Sequence, residues 1–87
     1  MIYIEYLQPD QNDLSGINLS GANLTRADLS GVNLSGANLS SANLDSAILE
    51  CTILTGANLR KAILDYVELV CDLIDVDLRE ASIFVRD

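Results

Sequence analysis

The sequence predicts an all-β protein, a parallel coil in which the chain turns every five residues and stacks upon itself. Two observations carry this. Leucine stands at every fifth position from Leu14 to Leu69 without a break, and two residues before it sits a mostly small side chain: Ala22, Ala27, Ala37, Ala42, Ala47, Ala57 and Ala62, with Ile17, Val32, Thr52 and Val67 as larger variants. A period of five matches neither the 3.6 of an amphipathic helix nor the 2.0 of a lone strand, so a turn must recur with each repeat.

The first eleven residues lie outside the rhythm. Ile2, Tyr3, Ile4, Tyr6 and Leu7 precede Pro9 and are expected to fold over the top of the column, making residues 1–11 a capping segment and residues 12–87 the repeat domain. Neither a basic leader with a small-residue cleavage site nor a long apolar run is present, so neither a signal peptide nor membrane insertion is expected.

Within a repeat, a short extended stretch sends the small residue and the Leu to the same side and the Asn or Asp between them to the other. The next two residues make the corner. Gly16, Gly21, Gly31, Gly36 and Gly56 suit it because glycine accepts positive φ, and Ser, Asp and Asn suit it through local bonds to backbone. Successive turns then stack at the inter-strand spacing of about 4.8 Å, with Leu and Ala filling the inside.

With Ala22-Asn23-Leu24, Ala27-Asp28-Leu29, Ala37-Asn38-Leu39, Ala42-Asn43-Leu44 and Ala57-Asn58-Leu59, the chain resembles the pentapeptide repeat family, whose pattern is A-[DN]-L-x-x. The resemblance covers residues 12 to about 85. It implies a right-handed quadrilateral parallel β-helix, and at four repeats per turn the fifteen repeats make just under four coils, roughly 18 Å of column at the strand spacing.

One residue is missing from the rhythm. Leu69 is followed by Leu73, Leu78 and Ile83, which places the gap at the corner after Val70. In the new register Cys71, Val76 and Ala81 point inward and Asp72, Asp77 and Ser82 outward; keeping the old register would bury unpaired charges at several kcal/mol each.

The outward columns Asn18, Asn38, Asn58, Asp77 and Ser15, Ser35, Thr55 read as structural ladders whose side chains bond their stacked neighbours. Departures from the pattern point elsewhere. Ile48, Ile53 and Ile63 occupy Asn positions that alternation places on solvent, and with Tyr66 and Val70 they form a candidate apolar contact surface. Isoleucine is equally a good strand residue at a tolerated site. At the C-terminal end no amphipathic helix covers the last coil, so Phe84 and Val85 are candidates for an end-to-end homodimer contact, against a reading in which Phe84 folds back alone. Cys51 falls on an outward corner and Cys71 inside; they need not meet, and two cysteines are too few for a disulfide framework, which fits a reducing, cytoplasmic setting.

Composition bounds the function. Thirteen acidic residues against five basic ones give a net charge of -8, the wrong sign for direct nucleic-acid binding. There is no His and no Trp, and the interior is filled by Leu and Ala, so no enzyme, cofactor or metal site is expected. The reading is a soluble, non-enzymatic structural or interaction module with an unknown protein partner. The alternative, which the family resemblance implies, is an acidic DNA mimic that binds a topoisomerase such as gyrase; the net charge approaches that of an equal length of duplex, but Arg26, Arg60, Lys61 and Arg79 interrupt it.

Overall fold

Why five residues suffice for a turn is visible in the backbone hydrogen bonds of one repeat. The computed structural model describes residues 12–85, so the capping segment 1–11, with Ile2, Tyr3, Ile4, Tyr6 and Leu7, lies outside the described residues, as do Arg86 and Asp87. In the repeat 38–42, the Asn38 N–H donates to the Ile17 carbonyl of the coil before at 2.8 Å, and the Leu39 N–H to the Asn58 carbonyl of the coil after at 2.7 Å. Ser40 N–H donates to the Asn38 Oδ1 at 3.0 Å. Ser41 N–H donates to the Arg60 carbonyl at 2.8 Å, and Ala42 N–H closes the turn on the Leu39 carbonyl at 3.0 Å. All five donors are satisfied, which is the condition for stacking backbone at this density.

The turn from Leu39 to Ala42 carries Ser41 at φ 59°, the positive φ that a type II turn demands at its third residue. Gly36 meets the same demand one corner earlier at φ 65°, and a Cβ added there would touch nothing within 4 Å. Conformation alone favours glycine at such a corner. Eight non-glycine residues hold the same conformation, Arg26, Ser41, Ser46, Cys51, Lys61, Tyr66, Asp75 and Glu80, each at a cost of about 1 kcal/mol that stacking must offset.

Parallel bridges join residues twenty apart: Asp13 to Asn33 to Ile53 on the first face, Asn18 to Asn38 to Asn58 on the second, Asn23 to Asn43 to Ile63 on the third and Asp28 to Ile48 on the fourth. The fourth face is regular enough for two strands, β1 (Ile48–Glu50) and β2 (Glu68–Val70), which pair parallel with Ile48 opposite Glu68 and Glu50 opposite Val70. The molecule is thus a stack of parallel coils with four ladders, and no helix occurs among the described residues.

Inside, Leu19, Leu24, Leu29, Leu34, Leu39, Leu44, Leu49, Leu54 and Leu59 are sealed from solvent, interleaved with Ala22, Ala27, Ala37, Ala42, Ala47, Ala57 and Ala62. The buried polar side chain there is Thr52, whose Oγ1 donates to the Leu29 carbonyl at 2.8 Å and so costs nothing unpaired. The larger variants Ile17, Val67 and Val76 are partly buried and pack against the core from its two ends, where, among the described residues, each has a coil on one side only.

The missing residue has a definite structural form. Positive φ recurs at every fifth residue from Gly16 to Tyr66 and resumes at Asp75 and Glu80, one place early. The last bridges span nineteen residues, Asn58 to Asp77 and Ile63 to Ser82. The corner between Leu69 and Cys71 holds a single residue, Val70, where the corner above it holds Glu50 and Cys51. Cys71, Val76 and Ala81 pack against the core as the shifted register requires. The ladder suffers for it. After the Cys51 N–H bond to the Val70 carbonyl at 2.9 Å, the next direct bond on that side is Gly56 N–H to the Ile74 carbonyl at 3.1 Å, and no bridge joins Ile53 to the coil below.

Candidate interaction surface

The asparagines do not build ladders up the column. Those in the outward position accept, at Oδ1, the N–H two residues on in their own coil: Asn18 from Ser20 at 3.1 Å, Asn33 from Ser35 at 3.0 Å, Asn43 from Asp45 at 3.0 Å and Asn58 from Arg60 at 3.0 Å. This corrects the expectation of stacked side-chain bonding. The corner leaves one N–H per repeat without a backbone acceptor, and the nearest Asx oxygen takes it. At Ile48, Ile53 and Ile63 that acceptor is lost, because isoleucine has no oxygen to offer Glu50, Thr55 or Asp65.

Those three isoleucines differ in setting. Ile53 is 46% exposed, whereas Ile48 and Ile63 are half-buried, because side chains of a ladder spaced about 4.8 Å apart shield one another. Alternation alone had placed all three on solvent. A cleft of about 600 Å³ brings Ile53 and Val70 together with Thr55, Leu69 and Asp72 at the interrupted ladder. A second, of about 440 Å³, joins Tyr66 and Val85 with Ser46, Val67 and Glu68. Ile48 and Ile63 line neither. Phe84 and Val85 sit over a small hollow of about 70 Å³ formed with Leu64, Val67, Leu69 and Ile83.

Pattern reading put Leu69, Leu73 and Ile83 inside, since they continue the leucine rhythm. In the structure they are 43%, 38% and 52% exposed. The physical reason is their place in the last described coil, where each inward side chain has a neighbour above and, among the described residues, none below. Ile74, a corner residue that the sequence reading did not single out, joins them.

Charge on this surface is partly neutralised. Arg79 grips Asp77 through its Nε and through a guanidinium nitrogen 2.6 Å from Oδ2, while the Arg79 N–H donates to Asp77 Oδ1 at 3.1 Å. These donors, the side-chain bond foremost, pull the Asp77 carboxyl from 3.8 down to about 2. Asp13 and Asp28 are lowered in the same direction by hydrogen bonds from Ser15 and Ser30. Because the folded value lies below the ordinary one, acidification protonates the unfolded chain first. The Asp77 contribution is therefore complete above about pH 4 and is lost as pH falls toward 2. Asp77→Asn keeps the turn acceptor and removes the charge, so its urea midpoint is expected to fall less between those pH values than that of the parent. Parallel curves would refute this.

Among the described residues no three His, Cys, Asp or Glu side chains are grouped to hold a metal, and no helix is long and apolar enough to cross a membrane. Backbone ladders and repeating turns define a repeat solenoid. The pentapeptide repeats family matches in eight copies over residues 13–50 and 37–70; the chain belongs to this family. Among solved structures it is similar to HetL, a pentapeptide repeat protein involved in heterocyst differentiation regulation from the cyanobacterium Nostoc sp. strain PCC 7120, at 28% identity and a TM-score of 0.68 over 93% of this chain and 44% of that one. It is also similar to the pentapeptide repeat protein Rfr23 from the cyanobacterium Cyanothece 51142, at 39% identity and a TM-score of 0.54, covering 88% of this chain and 55% of that one. The chain thus spans about half the length of these relatives. Comparison with the curated proteins gives no match.

Proposed function

We propose that the protein is a non-enzymatic interaction module, a right-handed quadrilateral β-helix of just under four coils working in the cytoplasm, whose contact surface is the last coil. One observation carries the reading. Of the nine large hydrophobic residues exposed among the described residues, seven lie in residues 69–85: Leu69, Val70, Leu73, Ile74, Ile83, Phe84 and Val85. Scattered single apolar residues are ordinary, but so many within one coil's length are a concentration of apolar surface that water disfavours. The occupant is a second copy, docked end to end, which would cover both open cores at once through a self-complementary contact. The involvement of HetL in regulation accords with a module that acts by contact.

Glu68, Asp72, Asp75 and Glu80 rim this end, so two copies bring like charges together and their association strengthens with salt, which shortens the reach of repulsion to about 8 Å at physiological ionic strength. Light scattering over a wide concentration range is expected to show a dimer, tightened by salt, that Phe84→Asp with Val85→Asp converts to monomer. A parent chain monomeric throughout would end this reading. The DNA-mimic alternative draws no comparable support: Arg79 neutralises Asp77, and at 33 × 26 × 23 Å the molecule is scarcely a rod. A supercoiling assay with gyrase is its test, with no inhibition expected.

A further inference from the structure

The two cysteines of the chain occupy consecutive coils beside the one corner that is a residue short. The register of β1 on β2 pairs Leu49 with Leu69 and Glu50 with Val70; just past it the register slips to nineteen, so Cys71 takes the inward place that Thr52 holds one coil above, and Cys51 stands at the short corner beside it. The Cys51 N–H still bonds the Val70 carbonyl at 2.9 Å, which holds the two backbones at the lateral spacing of paired strands. Cys71 follows Val70 directly, so one hydrogen bond and one peptide unit link the two residues, which by standard backbone dimensions keeps their Cα atoms within about 7 Å, near the upper end of the separation of about 4.4–6.8 Å that a disulfide spans. Both residues line the cleft at the interrupted ladder, Cys51 exposed and Cys71 partly buried, and both are free thiols. Directly beyond them, Leu54 N–H and the Thr52 carbonyl make no direct backbone bond to the coil below. This is the stretch of the wall between the third and fourth coils that lacks backbone rungs to hold it.

We propose that Cys51 and Cys71 are a dithiol pair that closes to an intramolecular disulfide, a covalent rung in place of the missing hydrogen-bonded one. The outward corner of Cys51 and the inward place of Cys71 are thereby joined into one modification site. The oxidant is a peroxide. Cys51, the accessible partner, attacks hydrogen peroxide as its thiolate; the O–O bond breaks, Cys51 becomes a sulfenic acid, and hydroxide leaves with the electron pair. The sulfur of Cys71 then attacks the sulfenic sulfur, the S–O bond breaks, and water departs with the Cys71 proton. The hydroxide recovers the proton that Cys51 had released. Two thiols and one peroxide yield one disulfide and two waters. Burial and the neighbouring Asp72 raise the Cys71 thiol, so it keeps its proton longer and leaves the peroxide to the exposed Cys51.

Closing the pair ties the fourth coil to the third, so the apolar end is presented on a firmer base. The inference does not depend on the proposed dimer, and its test reads chemistry within one chain. The full chain, at a concentration where it is monomeric or in the Phe84→Asp, Val85→Asp background, is treated with stoichiometric hydrogen peroxide and examined by intact mass and thiol titration. The expected result is loss of the mass of two hydrogen atoms, disappearance of both titratable thiols and recovery of both with dithiothreitol. Hydrogen exchange of amides in residues 74–85 is expected to slow by about tenfold in the oxidised form. In Cys71→Ser the sulfenic acid on Cys51 is expected to persist and to be captured by dimedone, a readout that needs no disulfide. Gain of oxygen mass by the parent chain without loss of hydrogen, or disulfides formed only between chains, would overturn the proposal.

Discussion

Leu39→Ala is expected to lower the unfolding free energy by about 3–4 kcal/mol, a large part of what a domain of this size possesses. Leu39 is 1% exposed and stands in a column between Leu19 and Leu59, each also 1% exposed. The backbone around it is held by rungs to both neighbouring coils, Asn38 N–H to the Ile17 carbonyl and Leu39 N–H to the Asn58 carbonyl. Collapse onto the cavity would break those rungs, so the site relaxes little and the cavity cost is felt nearly in full. The urea midpoint is the measurement, with Leu78→Ala as the comparison. Leu78 is only partly buried, and its loss is expected to cost no more than about half as much. Equal losses at the two positions would mean that the coils do not share one cooperative core.

Ala42→Leu is the opposite insult and is expected to be comparably harmful, at about 3 kcal/mol or more. Ala22, Ala42 and Ala62 form a column with no exposure at all, one above another at a spacing of about 4.8 Å. A branched side chain there has no room above or below. The backbone cannot retreat, because Ala42 N–H closes the corner on the Leu39 carbonyl at 3.0 Å and the Ala42 carbonyl receives the Ile63 N–H at 2.9 Å. The same enlargement at Ala81, which stands in the last coil and is only partly buried, is expected to be tolerated. Thermal unfolding of the two variants side by side decides it; a stable Ala42→Leu protein would show that the interior is looser than its burial implies.

Much of this was legible in the chain itself. The unbroken run of leucines identified the coil, and the alternation of Ala, Asn and Leu separated inside from outside, because a strand has only two faces and a stack must bury one. The skipped residue could be placed at the corner beside Val70 by asking which register would leave Asp72 and Arg79 in water. What the pattern misjudged were matters of neighbourhood. Asn38 has the same identity whether its amide bonds the coil above or the Ser40 N–H; the choice rests on which backbone group the corner leaves without an acceptor. Ile48 and Ile53 hold equivalent places in the repeat, yet one is shielded by its ladder and the other stands beside a gap.

The sequence by itself determined the period, the composition of the core and the sign of the surface charge, because each is a property of residues taken in order. Only the tertiary structure decided what the short corner does. One residue fewer between Leu69 and Cys71 draws the chain across the corner, removes the rungs below Ile53, and sets Cys51 and Cys71 on one cleft. Likewise Leu69, Leu73 and Ile83 obey the core pattern and are nevertheless exposed. A repeat states which side of the chain faces inward, but burial requires a coil on either side, and that depends on position in the stack.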